Sequence, residues 1–173
     1  MQLPFPLPLT FSLSILEVPR SGVAKRIIFK RGRRTSMRFL VTGGAGFIGS
    51  NIVRRLLAGG DEVVVIDDLT LGSLSNVPGV KVLRGDVRDA RLVEEACEGV
   101  DGAFHDAARS SAPMFSQDPR EGVDVNLRGF MNVAEAARRG DFPVVYASTS
   151  SLYGRCKPPH REDMEVVPGS FYE

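Results

Sequence analysis

The sequence predicts an α/β fold built on a doubly wound parallel sheet. Three observations carry this. Short apolar runs alternate with amphipathic helical stretches, as in successive βαβ units. A glycine-rich turn joins the first run to the first helix. No internal repeat at a period of roughly 20–50 residues points instead to a solenoid.

Each element follows from its local pattern. Arg38–Thr42 is a short apolar run ending in glycines and reads as a buried strand. Gly46–Ala58 carries Phe47, Ile48, Ile52, Val53, Leu56 and Leu57 at helical spacing and stops at Gly59-Gly60, a carboxy-terminal cap signal. Glu62–Ile66 is a second, β-branched strand and Val80–Leu83 a third. Ala90–Glu98 reads as a helix and Val100–His105 as a fourth strand. Arg120–Arg139 reads as one long amphipathic helix, with Val123, Leu127, Met131, Ala134 and Ala137 on its apolar side. Arg138 and Arg139 would complement the dipole at its end. Phe142–Ser148 is a fifth strand, after which the sheet is expected to be cut short.

Composition sets outer limits. At about 150 residues per domain, 173 residues make one domain. The 43% of hydrophobic residues excludes a wholly disordered chain. Two cysteines, Cys97 and Cys156, are too few for a disulfide scaffold and suggest a reducing, cytoplasmic setting. No apolar run is long enough for a transmembrane helix. Cys156 and His160 share a C-x-x-x-H spacing, but two Cys and two His in all argue against a zinc site.

Charge is unevenly spread. Residues 1–36 hold seven Lys/Arg and one acid, Glu17, and the rest of the chain is net acidic. An acidic body argues against nucleic-acid binding, which needs a basic surface. The first 36 residues read as an unstructured or mis-called extension. Met37 stands directly before the first strand, as a true start would. A targeting segment and a genuine basic arm are the alternatives, although a signal peptide would carry its basic residues ahead of its apolar stretch. Residues 37–173 form the expected domain.

The strongest chemical signal is Thr42-Gly43-Gly44-Ala45-Gly46-Phe47-Ile48-Gly49, between a strand and a helix. One glycine permits a tight turn, another lets backbone approach a pyrophosphate, and the last lets the helix pack on the strand. The pyrophosphate would meet the positive end of the helix. Asp67 ends the second strand 21 residues after Gly46, placed to accept hydrogen bonds from an adenosine ribose. Its charge would repel a 2′-phosphate, which favours NAD over NADP.

Further segments carry a resemblance to a known family. These are Gly85-Asp86-Val87-Arg88-Asp89, Phe104-His105-Asp106-Ala107-Ala108, Ser111-Ala112-Pro113 through Asp118-Pro119, the helix opening at Asn126-Leu127-Arg128-Gly129, and Tyr146 through Tyr153-Gly154. In this order they resemble the extended short-chain dehydrogenase/reductase family. Within it they are most similar to the NAD-dependent epimerase/dehydratases of nucleotide sugars, the UDP-glucose 4-epimerase-like group. The resemblance implies a Rossmann-like fold with NAD held by Gly43, Gly46, Phe47, Ile48, Gly49, Asp67, Asp86, Val87, Ala107, Ala108 and Asn126. Asp86 would meet the adenine. It implies Thr149 as the catalytic Ser/Thr, Tyr172 as the catalytic tyrosine, and Ser111 with Thr149 on the substrate. It also implies a nucleotide-sugar substrate and, for the full-length form, a homodimer.

The chemistry needs these residue types. A tyrosine with a pKa near ~10 acts as a base at neutral pH only beside positive charge, which a lysine and the oxidised nicotinamide supply in this family. That lysine would fall three residues beyond Glu173, so the sequence reads as the amino-terminal half of an enzyme, inactive alone. Ser150-Ser151 stands where the family's dehydratases carry Asp-Glu, which favours an epimerase over a dehydratase or reductase. A non-catalytic dinucleotide-binding module is the alternative of a different class. Asp106 stands where the family usually has Leu. It puts a charge at the cofactor's strand end, with Arg109 as its candidate partner. His105 is read as a strand-end residue and not as a base.

Overall fold

The computed structural model of the protein describes residues 36–161, 163–170, 172 and 173. The extension expected at residues 1–36 therefore lies, up to residue 35, outside the described residues, as do Glu162 and Phe171.

Five strands form one parallel sheet in the order β3-β2-β1-β4-β5. They are β1 (Arg38–Thr42), β2 (Glu62–Asp67), β3 (Lys81–Arg84), β4 (Gly102–His105) and β5 (Val144–Tyr146). Helix α1 (Phe47–Ala58) links β1 to β2, and α2 (Ala90–Ala96) links β3 to β4. Three helical pieces precede β5: α3 (Ala112–Gln117), α4 (Pro119–Val123) and α5 (Gly129–Gly140).

Side-chain alternation along the strands divides the core into two layers. Leu40, Val64 and Ile66 point to one face, where they meet Val93 and Ala96 of α2 and Val133, Ala136 and Ala137 of α5. Val41, Val63 and Val65 point to the other, where Val53 of α1 covers them. Both faces are sheltered, as a parallel sheet requires. Among the described residues no helix is long and apolar enough to cross a membrane.

Strand ends are trimmed where turns claim the backbone. Val80 turns its N–H to the Val77 carbonyl (3.3 Å), so β3 starts at Lys81. The Val100 N–H goes to the Cys97 carbonyl (3.3 Å), so β4 starts at Gly102, and α2 ends at Ala96 with Cys97 as its cap. Pro143 has no N–H to offer, and β5 starts after it. Helix α1 begins at Phe47, with Gly46 as its cap, and stops at Gly59-Gly60 as its cap signal predicts.

The expected long helix over 120–139 is the main correction. It is interrupted by a π turn at Asp124–Arg128, between α4 and α5. Helix α3, which falls between the elements read from the sequence, precedes it. Ser111 caps α3 and Asp118 caps α4, each with a proline in the first turn. The expected apolar side holds at its end, where Ala137 is buried, but not before it. Val123, Leu127 (61% exposed) and Met131 (67% exposed) face outward, and Val125 and Val133 are buried with Gly129. The cause is close approach. A Cβ at Gly129 would come within 2.5 Å of Val87 Cγ2, so only the face of small residues fits against the segment after β3. Arg138 and Arg139 pair with Glu135, and Arg139 also with Glu94, beside whatever they add to the dipole.

Candidate functional site

The glycine loop leaves β1 through Gly43 at φ +68°, a left-handed conformation that suits glycine. Its N–H donates to the Ile66 carbonyl (2.8 Å), which locks the turn to β2. A Cβ at Gly43 would lie 2.8 Å from the Ala107 nitrogen. The loop thus passes between the ends of β2 and β4 with no room for a side chain. Helix α1 then starts with no side-chain cap and no acid in its first turn. Its first N–H groups have no partner within the helix, which leaves an anion seat at its positive end.

Asp67 is 6% exposed and holds this seat from the side. Its Oδ2 accepts the Ala45 N–H (2.9 Å) and its Oδ1 the Leu69 N–H (2.8 Å). The loop after β2 folds back over the glycine turn, where Ser73 N and Asn76 Nδ2 donate to the Ala45 carbonyl (3.1 and 2.8 Å).

A cleft of about 370 Å³ opens at the carboxyl ends of the strands. Gly43, Gly46, Phe47 and Ile48 form one wall, and Asp67, Asp68 and Thr70–Gly72 another. Gly85, Asp86 and Val87 come from the end of β3, and Asp106 through Ser110 from the end of β4, with Val125 behind. This is the crevice where open parallel sheets bind ligands.

Ion pairs stiffen its rim. Arg88 bridges Asp86 (2.5 Å), Glu121 (2.7 Å) and Asp124 (3.0 Å). Hydrogen bonds from Arg88 hold the Asp86 carboxyl below its ordinary range against the opposing effect of burial. Arg109 joins Asp68 (3.3 Å) to Glu121 (3.2 Å). Burial pushes Asp68 up, but hydrogen bonds from Thr70 and Arg109 outweigh it and hold this carboxyl low. The expected Asp106–Arg109 pair does not form; Arg109 reaches across the cleft to Asp68 instead.

Nine of the sequence-predicted cofactor residues line this cleft: Gly43, Gly46, Phe47, Ile48, Asp67, Asp86, Val87, Ala107 and Ala108. The other predicted site residues stand apart from its lining. Gly49 packs beneath, against the Gly43 backbone. Asn126 sits in the π turn and accepts the Arg109 N–H (2.8 Å), so it positions the β4 end from behind. Ser111 is occupied in capping α3. Thr149 lies past β5, where its Oγ1 accepts the Ser151 N–H (3.1 Å). Tyr172 reaches the rim: its hydroxyl donates to the Ser110 carbonyl (2.9 Å) and its ring meets Phe115 edge-on at 5.3 Å. Asp68, Gly72 and Ser110 were not among the sequence-predicted site residues, and Arg109 was expected there only as a partner of Asp106. Asp68 had a signal in its adjacency to Asp67; Arg109 had none, since its partners lie 12 and 41 residues away.

Residues 39–173 match the NAD dependent epimerase/dehydratase family. The chain belongs to that family. The UDP-glucose 4-epimerase of Lacticaseibacillus casei is 38% identical over 141 residues, covering 79% of this chain and 43% of that protein. The UDP-glucuronic acid decarboxylase 2 of Arabidopsis thaliana is 35% identical over 128 residues, covering 70% and 28%. The solved UDP-glucose 4-epimerase of Thermus thermophilus, in complex with NAD, is 43% identical with a TM-score of 0.72, over 79% of this chain and 46% of that one. The chain thus spans under half the length of these relatives.

In this epimerase/dehydratase-family chain the end of β4 carries two displaced ionisations. His105 is buried, with its Nδ1 2.8 Å from Thr42 Oγ1, and burial pushes its pKa down to about 4. Burial pushes Asp106 up to about 6, against a lowering effect of the Gly49 backbone N–H. The two act oppositely on stability. An unfolded histidine titrates near ~6.5, so the His105 contribution is present above that pH and lost as pH falls through about 4. The Asp106 contribution is present below ~3.8 and lost as pH rises through about 6. Asp106→Asn should therefore unmask the histidine. Its unfolding free energy should fall by about 2 kcal/mol more than that of the parent chain between pH 7 and pH 4.5, read by urea denaturation. Equal falls in the two proteins would disprove this assignment.

Elsewhere, Cys97 is half-buried and its thiol is pushed up to about 11 by burial. His160 Nε2 lies 3.4 Å from the Cys156 carbonyl, and its ring stacks on Tyr153. Among the described residues no group of three or more His, Cys, Asp or Glu side chains could hold a metal ion.

Proposed function

We propose that this chain carries the NAD site of a nucleotide-sugar 4-epimerase. The observation that supports it most is the cleft itself: an uncapped helix start behind a side-chain-free glycine turn, flanked by Asp67. Phe47 and Ile48 offer the diphosphate their backbone N–H groups, and Gly43 and Gly46, whose own N–H groups are bonded within the turn, let it approach without a side chain in the way. Each Asp67 oxygen accepts one backbone N–H and keeps a lone pair for a ribose hydroxyl, and its charge disfavours a 2′-phosphate. Asp86, fixed by Arg88, takes the adenine edge, with Val87 beside it.

Bound in this cleft, NAD would supply reversible hydride acceptance at the sugar's C4. The chain's own groups handle the hydroxyl proton. Thr149 already accepts a hydrogen bond from Ser151, so its O–H is free to donate to the sugar oxygen. Tyr172 is the group that takes the proton, with a cation beside it. Ser150 and Ser151 provide no acid–base pair for eliminating a hydroxyl, which favours epimerisation over dehydration. Assembly as a homodimer belongs to the same proposal, and the exposed Val123, Leu127 and Met131 supply apolar surface for it. Residues 1–36 lie outside the functional unit.

The test is calorimetric titration of the 173-residue chain, and of a version starting at Met37, with NAD and NADP. Both proteins should bind NAD alike and NADP more weakly. Absence of NAD binding would overturn the proposal.

A further inference from the structure

We infer that the Asp106 carboxylate competes with a bound diphosphate for the amino-terminal end of α1, and so sets the affinity of the cleft for dinucleotides. This rests on the dinucleotide reading above and adds a residue that works against it.

The placement follows from the sheet. β1 and β4 are neighbours, with Thr42 opposite His105, so the residue after His105 emerges beside the glycine turn. The Asp106 N–H donates to the Thr42 carbonyl (3.2 Å), and Gly43 packs on the backbone of residues 106 and 107. The Asp106 side chain lines the same cleft as Gly46, Phe47 and Ile48, and the Gly49 N–H of the first α1 turn acts on its carboxylate. An acid from another strand thus stands in the same cleft as a helix start that has no cap of its own.

The surroundings offer this acid no counterion. Residues 43–53, the glycine turn and first half of α1, contain no titratable side chain. Thr42 and His105 are bonded to each other. Across the cleft stand Asp67, Asp68 and Asp86, all acids. The cation on the same segment, Arg109, is engaged by Asp68 and Glu121. Among the described residues Asp106 forms no ion pair. Burial accordingly raises its pKa to about 6. A diphosphate seated at the helix start brings further negative charge to the same few N–H groups. It favours the neutral acid, so binding takes up a proton and tightens as pH falls through about 6.

The experiment compares the 173-residue chain with Asp106→Asn, which removes the charge and keeps the size and shape of the side chain. The probes are ADP-ribose, whose diphosphate does not titrate between about pH 5 and 8, and adenosine, which has no phosphate. At pH 8 the variant should bind ADP-ribose on the order of tenfold more tightly than the parent and adenosine equally well. At pH 5 the two proteins should agree within about twofold for both ligands. In the parent alone, ADP-ribose binding should strengthen from pH 8 to pH 5, a measurement that needs no variant. Equal ADP-ribose affinities at pH 8, with a flat profile in the parent, would overturn the competition and leave the cofactor site standing. Equal tightening of adenosine would also overturn it. If neither protein binds ADP-ribose, the cofactor reading falls and takes this inference with it.

Discussion

Gly49→Val should cost the chain its fold, not merely its ligand. A Cβ at this position would overlap the Gly43 carbonyl oxygen and sit 2.7 Å from Gly44 Cα and 2.8 Å from the Gly43 carbonyl carbon. All three are backbone atoms, so no side chain can swing away. Gly43 cannot retreat either: its N–H is bonded to Ile66 (2.8 Å) and its carbonyl receives the Gly46 N–H (3.1 Å). The remaining relief is to lift α1 from the sheet, which would expose Val53 and the layer it covers. A loss of at least ~4 kcal/mol is expected, a large part of the ~5–15 kcal/mol that a domain of this size has. Far-UV circular dichroism against temperature reads it directly. A cooperative transition within a few degrees of the parent's would show that the turn has more give than its hydrogen bonds allow. Gly46→Val is the contrasting case. There the added Cβ would lie 3.2 Å from the Gly43 oxygen, so the fold should survive while the diphosphate seat is blocked.

Asp67→Ala carries the second-largest effect. The carboxylate is nearly sealed from water and accepts two backbone N–H groups, from Ala45 and Leu69. Hydrogen bonds to a charged group contribute ~1.5–3 kcal/mol each, and removing the acceptor leaves both donors without their partner. A loss of about 3–4 kcal/mol in unfolding free energy is expected, together with loss of NAD binding, because the glycine turn and the loop over it are both bonded to this carboxylate. Denaturant unfolding and calorimetry on the same sample report the two effects. Asp68→Ala is the control: its pairs with Thr70 and Arg109 are partly open to water, and it should cost under about 1 kcal/mol. Similar losses at the two positions would remove Asp67 from its central place.

Much of this architecture was legible because single residues specified it. Gly43, Gly46 and Gly49 lie between an apolar run and a helical pattern, the setting of a strand–turn–helix passage, and Asp67 closes the next apolar run. Strand ends were less legible, since they depend on which carbonyl a turn claims, as at Val80 and Val100. The inward face of the segment over 119–140 was misread for a clear physical reason. Two stripes at four-residue spacing compete there, Val123-Leu127-Met131 and Val125-Gly129-Val133. The first is the more hydrophobic, but the second is smaller, and the distance to Val87 rewards smallness. Helix α3 carries a signature, Ser111 ahead of Pro113, but is too short for the apolar periodicity that marks a helix. The engagement of Arg109 by Asp68 and Glu121 had no local signature, because the fold brings those partners together across 41 and 12 residues.

The π turn at Asp124–Arg128 has a bearing on how the length of this chain can vary. A π turn holds one residue more than an α-helix uses to cover the same path. Losing an outward residue there, such as Leu127 or Arg128, would take in that slack and leave α4 and α5 aimed as they are. The same loss one turn later, within α5, would swing every following side chain by about 100° and carry Ala137 away from the sheet. What the spare residue supports is Asn126, turned far enough to grip the backbone of Arg109. Spliced out, the segment would be a straighter rod with a looser grip on the end of β4.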